Sequence, residues 1–220
     1  MRRKLLVAPT LLALLLLPVS ATAVTITGTS GDDVLTGKGS DDTISGRGGN
    51  DTISARGGND VVTGGSGNDE IGLAAGNDVG RGGSGDDHVE GIGGDDRLLG
   101  GDGDDYLQAG AGDDRVDGQD GIDDLDGGDG ADQLYDGPGG DHVSADAGDD
   151  VIHLGPGADE AFGEEGYDHI YATDDGVRDE IYCGSSSATQ GTRGVLTYLG
   201  SRDPLDHVNY CDDVVVQPNP

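Results

Sequence analysis

The sequence predicts an all-β solenoid, in which short strands joined by glycine-rich turns coil so that strands two units apart pair in parallel. Three observations predict it. From Gly28 to Tyr171 the chain divides without insertion into sixteen nine-residue units, 144 residues in all. The fourth place is Gly in fifteen units, Ser40 being the exception, and the eighth is Val, Ile or Leu in fourteen, with Gly80 and Ala161 departing. The sixth place is Asp in every unit: Asp33, Asp42, Asp51, Asp60, Asp69, Asp78, Asp87, Asp96, Asp105, Asp114, Asp123, Asp132, Asp141, Asp150, Asp159 and Asp168. A fixed short period is the signature of stacked repeats.

Each unit supplies a glycine-rich turn and then a strand of about three residues, because only one place in nine is reliably aliphatic. Alternation along that strand sends the eighth residue inward and its neighbours outward. The mixture at Thr43 and Ser45, Glu70 and Gly72, His88 and Glu90, and Arg97 and Leu99 fits outward places. A strand that buries one side chain cannot stand alone. Two turns and two strands, eighteen residues, therefore complete one circuit, with odd and even units stacking into separate parallel sheets at a strand spacing of about 4.8 Å. The turn glycines meet the need for positive φ and close backbone approach.

The Asp column opposes this stacking. Like carboxylates about 5 Å apart repel by roughly 1 kcal/mol per pair in water and by more at lower dielectric. A cation between the turns removes the penalty. Carboxylate and carbonyl oxygens in a flexible turn suit a hard, larger cation, Ca²⁺ ahead of Mg²⁺, and nothing offers the thiolate or clustered imidazole that zinc prefers.

Units such as GGSGNDEIG, GGSGDDHVE and GGDGDDYLQ resemble the haemolysin-type calcium-binding nonapeptide (RTX) repeat, G-G-x-G-x-D-x-U-x with U aliphatic. The resemblance implies a right-handed parallel β-roll with several Ca²⁺ ions between stacked turns, held by turn carbonyls and the sixth-place Asp. Carried over by position, the implied ligands are the sixteen Asp named above. A disordered acidic tail is the plain alternative, but composition alone would not keep the aliphatic place in register. Departures from the pattern predict weaker places. Leu73, Ala74 and Ala75 replace glycines in a unit whose strand place is Gly80, which predicts poor packing or a kink. Asp136 before Gly137 and Pro138, Ala145 before Asp146, and Leu154 before Gly155 and Pro156 predict incomplete occupancy in the late units.

Residues 1–23 read as a secretory signal: Arg2, Arg3 and Lys4, an apolar run from Leu5 to Leu17, then Ala21-Thr22-Ala23 as a cleavage site. The apolar run is short for a membrane span, and no Cys near it offers a lipid attachment point. Cleavage leaves a chain from Val24, with the roll over 24–171 and a capping region over 172–220. The whole chain carries a formal charge of −32, and loss of the three basic signal residues makes it −35. Nucleic acid and anionic membrane surfaces are disfavoured as partners on charge, and cations are favoured; no protein or glycan partner is legible.

After Tyr171 the register breaks, then an Asp-x-aliphatic step returns at Asp179 and Ile181 and again at Asp206 and Val208, each followed by a cysteine. That placement predicts two adjacent strands bridged by Cys183 and Cys211, since two cysteines in an exported chain most often pair. Phe162, Tyr167, Tyr171, Tyr182, Tyr198 and Tyr210 gather towards this end. A solenoid needs its open last turn covered, and a cap explains them; an aromatic binding patch is the sharper alternative.

Catalytic signatures are missing. His88, His142, His153, His169 and His207 stand in no HExxH or zinc spacing, and Ser185 to Ser187 lack a nucleophile elbow. Acidic pairs such as Asp113-Asp114 recur every nine residues, as a metal scaffold does and a dedicated acid/base pair does not. The expectation is a secreted, extracellular, non-enzymatic calcium-binding protein with a structural, matrix or surface role. An accessory or targeting module of a separately encoded secreted enzyme is the alternative. Ice binding is disfavoured: Asn50, Asn59, Asn68 and Asn77 make a partial row without a matching Thr ladder.

Overall fold

The computed structural model describes residues 22–173, 175–184, 194–200 and 204–217. The signal segment up to residue 21 and the Ser185 to Ser187 run lie outside the described residues. Among those described there are twenty-one strands, from β1 (Thr25–Thr27) to β21 (Asp213–Gln217), and no helix. Strands alternate between an eleven-stranded and a ten-stranded sheet, each pairing in parallel with the strands two before and two after it. The protein is an all-β parallel solenoid of about ten coils.

Register follows the eighteen-residue circuit. Ile44 pairs with Val62, Val116 with Leu134, and Ile152 with Ile170 on one sheet. Ile71 pairs with Val89, and Leu107 with Leu125, on the other. These eighth-place side chains meet between the sheets in one continuous core. A slip of one residue would turn all of them to solvent, which makes this the selected register.

Strand length differs from the three residues expected. In most units the strand runs six residues, as in β8 (His88–Gly93), whose burial alternates over its whole length. The reason lies in the first place of the following unit, a second inward position. Gly or Ala there lets the two sheets approach, and Ala55, Ala109, Ala145, Leu73 and Leu154 join the core. The sixth unit is a second correction. Its first three residues end β6 (Glu70–Ala75) and its strand place Gly80 lies in β7 (Val79–Ser84); both are regular six-residue strands, and Leu73 is fully buried. A Cβ on Gly80 would stand 3.0 Å from Leu73 Cδ1 and 2.9 Å from Val89 Cγ1. Leu73 thus fills the volume that Gly80 leaves, and the two departures compensate.

The second place of the unit is left-handed in thirteen of the sixteen units, Thr29, Lys38 and Gly155 excepted, and not only where it is Gly: φ is 83° at Arg47, 87° at Ala74, 85° at Ile92 and 78° at Gln119. For a β-branched residue this is costly. Ile92 is 58% exposed, so little packing offsets the strain. Ile92→Gly is expected to stabilise the calcium-loaded protein by about 1 kcal/mol, the left-handed penalty less the added entropy of the unfolded chain. A thermal melt checks it, and a lower midpoint would refute the strain argument.

Beyond Tyr171 the same two sheets continue. β18 (Glu180–Tyr182) and β20 (His207–Asn209) extend one, and β19 (Val195–Leu199) and β21 extend the other. Ile181 pairs with Val208, so the two predicted strands are neighbours, and the Cys183–Cys211 disulfide joins their ends with a Cα separation of 4.9 Å. Cys183 is fully buried in the core cluster. Reduction is expected to lower stability by about 3 kcal/mol through the freed loop. Denaturation with and without reductant measures it, and equal midpoints would assign the bridge no constraint.

Candidate metal centre

The sixth-place carboxylates form two columns, one along each edge where a turn meets a strand. Asp42 to Asp168 are all buried at 3% exposure or less, and Asp33, in the first coil, is half-buried. Each is fixed by the same bond. The Asp backbone N–H donates to the Oδ1 of the Asp one coil later: Asp33 to Asp51 at 2.8 Å, Asp60 to Asp78 at 2.6 Å, Asp96 to Asp114 at 2.6 Å and Asp132 to Asp150 at 2.8 Å. The ladder begins before the first unit, at Val24 N–H to Asp42 Oδ1, 2.8 Å. It also runs past the sixteenth, from Asp159 to Asp179 Oδ1 at 3.1 Å and from Asp179 to Asp206 Oδ1 at 3.1 Å. Asp179 and Asp206 therefore belong to the column, although residues inserted between coils take them out of strict period. The Asp-x-aliphatic step was their only signal.

The second oxygen is the chemically open one. From Asp51 to Asp168, fourteen consecutive members of the column have a buried Oδ2 with no hydrogen bond. Asp33 and Asp42 differ, since their Oδ2 atoms accept the N–H of Thr29 and Lys38, each at 2.6 Å. Each open Oδ2 of a Gly-led unit faces the bare Cα of that unit's first place. A Cβ on Gly127 would lie 2.7 Å from Asp132 Oδ2 and 3.0 Å from the Ala145 carbonyl oxygen, one coil on. The same pair of oxygens crowds a Cβ at Gly46, Gly64 and Gly100. Glycine here keeps a carboxylate oxygen and a carbonyl oxygen in one small space between coils. Acceptor oxygens gathered without donors fit a hard cation.

Their acidity reflects the same arrangement. Burial, partly offset by the backbone N–H donor and reinforced by neighbouring carboxylates, pushes Asp96, Asp105, Asp132 and Asp150 up to about 7, and Asp87 and Asp123 to about 6. At Asp42 burial also acts upward, but the N–H donors of Lys38 and Val24 outweigh it and the carboxyl falls below its ordinary value. Donor count separates the two cases.

The fifth place carries a second ladder on the outside of the turns. Asn50 Oδ1 accepts the Asn68 N–H at 3.1 Å, Asn68 Oδ1 the Asp86 N–H at 3.2 Å, and Asp86 Oδ1 the Asp104 N–H at 3.2 Å. The Asn row thus caps turn backbone, which accounts for it without an ice-facing role. The aromatic residues also differ from a buried cap. Only Tyr198 is buried among them. Tyr135, His153 and Tyr171 stack at 4.5 and 4.8 Å on one sheet, with the Arg115 guanidinium 3.9 Å over Tyr135, and Phe162 stacks on Tyr182 at 4.8 Å on the other. These are cross-strand pairs on outward places, set by the parallel register. The other histidines sit at the surface, His88 3.4 Å from Glu90 and His142 3.2 Å from Asp124.

The family model of the RTX calcium-binding nonapeptide repeat (4 copies) matches residues 25–53, 36–71, 46–79, 74–107, 90–125, 126–161, 135–170 and 153–175. Together these stretches cover more than half of the 220-residue chain. Comparison with curated proteins gives no match.

Proposed function

Since the chain belongs to the RTX calcium-binding nonapeptide repeat family, we propose that it is a secreted, non-enzymatic protein whose roll folds on taking up Ca²⁺ between its coils. The observation that carries this is the run of fourteen buried Oδ2 atoms without a hydrogen-bond donor. Buried acceptors left unpaired cost about 1–3 kcal/mol each, and more when charged. A protein that places so many in line has a cation to neutralise them. The residues that would hold it are the sixth-place Asp with an open Oδ2, from Asp51 to Asp168, with the first-place carbonyls of the adjoining coil, while Asp33 and Asp42 commit that oxygen to backbone donors. Bound Ca²⁺ supplies charge neutralisation and crosslinks coils; the chain supplies the rigid spacing.

Two features support secretion. One is the basic, apolar and small-residue order of residues 1–23. The other is the Cys183–Cys211 disulfide, a bond of oxidising compartments. Cleavage after Ala23 would also place the new α-ammonium on Val24 N, 2.8 Å from Asp42 Oδ1, a charge-assisted start to the ladder. An extended acidic surface, with no catalytic constellation among the described residues, suits a structural, matrix or surface role.

The test is far-UV circular dichroism of residues 24–220 during a Ca²⁺ titration from a chelated start, with Mg²⁺ as control. The expected result is a cooperative gain of β signal with Ca²⁺ and little with Mg²⁺ at equal concentration. A chain that is fully folded in excess chelator at pH 8, or that stays disordered in millimolar Ca²⁺, would sink the proposal.

A further inference from the structure

One inward place breaks the pattern of all the others. The first place of the unit is Gly, Ala or Leu in fifteen of the sixteen units and Asp136 in the remaining one. Asp136 has no exposed surface. Its placement follows from two prolines. Pro138 and Pro156 occupy the third place of successive coils on one sheet, and Pro cannot donate to a ladder. The strands before them, β13 (Gln133–Tyr135) and β15 (Val151–His153), accordingly stop after three residues. The backbone N–H groups of Gly137 and Gly155, released from strand pairing, both donate to Asp136 Oδ1 at 2.6 Å. One oxygen is thereby fixed, and the other, Oδ2, is buried without a partner.

Two more such oxygens lie beside it. Asp141 and Asp159, column members in consecutive coils, are each 2% exposed and each have an unpartnered buried Oδ2. One carboxylate oxygen from each of Asp136, Asp141 and Asp159 lies within 4.8 Å of the others. Other gaps in the columns are bounded by two sixth-place carboxylates, whereas this one has three. The repeat pattern assigns no side-chain ligand to the first place, so the Asp136 carboxylate is an addition by this chain.

We propose that Asp136, Asp141 and Asp159 form a three-carboxylate cation site distinct from the other gaps, the tightest Ca²⁺ site of the roll and the one that accepts a trivalent cation first. The inference rests on the reading that the gaps take Ca²⁺ and adds which gap leads and why. A third anionic oxygen raises ligand charge, the variable by which oxygen-ligated calcium sites tune affinity. The paired Gly137 and Gly155 bonds orient that oxygen in advance, so less is lost in ordering it on binding.

The experiment is a titration of the chain from Val24 with Tb³⁺, read by emission sensitised through tyrosine, Tyr135 being adjacent in sequence to Asp136, and then competed with Ca²⁺. Wild type is compared with Asp136→Asn, which keeps the Oδ1 acceptor and removes the charge, and with Asp136→Gly, which restores the usual first-place residue. The expected result is a first Tb³⁺ equivalent that binds at least tenfold more weakly in both variants. Later equivalents and the β signal at saturating Ca²⁺ stay unchanged. If both variants take up Ca²⁺ fully and bind the first Tb³⁺ as wild type does, Asp136 is no ligand and this inference is overturned while the calcium reading stands. If wild type takes up neither ion, the calcium reading falls and this inference with it.

Discussion

Gly103→Ala is expected to destabilise the calcium-loaded roll by roughly 4 kcal/mol or more, while Gly72→Ala, on the same solenoid, is expected to stay within about 0.5 kcal/mol of wild type. Gly103 stands at the fourth place with φ +130°, where an L side chain is strained by about 1–2 kcal/mol. Its Cβ would also overlap the carbonyl oxygen of Gly85, one coil earlier. That neighbour is backbone and cannot rotate away, so relief requires the coils to part. Parting two coils of a parallel stack strains the ladder on both sheets at once. At Gly72 a Cβ meets nothing within 4 Å and φ is ordinary. Chemical denaturation of the two variants with saturating Ca²⁺ decides the matter. Equal destabilisation would mean that glycine content as such, and not coil contact, governs the fold.

The same contact explains the sole exception at the fourth place. Ser40 lies in the first coil, and at Gly31, its counterpart in the other turn row, a Cβ would touch nothing within 4 Å. Side chains are tolerated there because no earlier coil leans on that turn. A strict period shows up in one sequence because every coil imposes the same contact on the next. Hence the eighth-place core, the parallel register and the Asp column were all legible, as was the Cys183–Cys211 bridge, which follows two copies of one strand step.

What escaped was whatever the average unit conceals. The first place reads as turn because it is usually Gly, yet its inward direction appears once strands are six residues long, and only then do Leu73 and Gly80 become a compensating pair. Asp136 shows the same limit. Read along the chain it is a lost glycine and predicts a weak gap; in the stack it adds a carboxylate to that gap. Asp179 and Asp206 lie off the nine-residue count, and the hydrogen bonds that recover them span 20 and 27 residues. The aromatic stacks were hidden for a related reason: Tyr135, His153 and Tyr171 are neighbours at a spacing of eighteen, and only coiling brings them together.

Acid is expected to substitute for metal. In the chelated protein the column carboxyls at Asp96, Asp105, Asp132, Asp150 and Asp168 are raised by burial from 3.8 to about 7. Unfolding returns them to ordinary values, so between roughly pH 4 and 7 the folded state holds more protons than the unfolded state. Stability of the metal-free fold is then fully present below about 3.8 and is lost as pH rises through 6 to 7. Chelated protein that lacks β signal at pH 8 should gain it on acidification towards pH 5, without any cation added. With Ca²⁺ present the order reverses in the binding curve, because protons and metal compete for the same oxygens: the titration midpoint should rise at least about tenfold between pH 8 and pH 6. Both effects are read by circular dichroism in the same buffers. A chelated chain that loses β structure as the pH falls, or a calcium midpoint that does not move, would show that the buried oxygens are not where proton and metal meet. The two outcomes expected together tie the fold, the acidity and the metal to one feature: a carboxylate with one oxygen spent on the neighbouring coil and the other left without a donor.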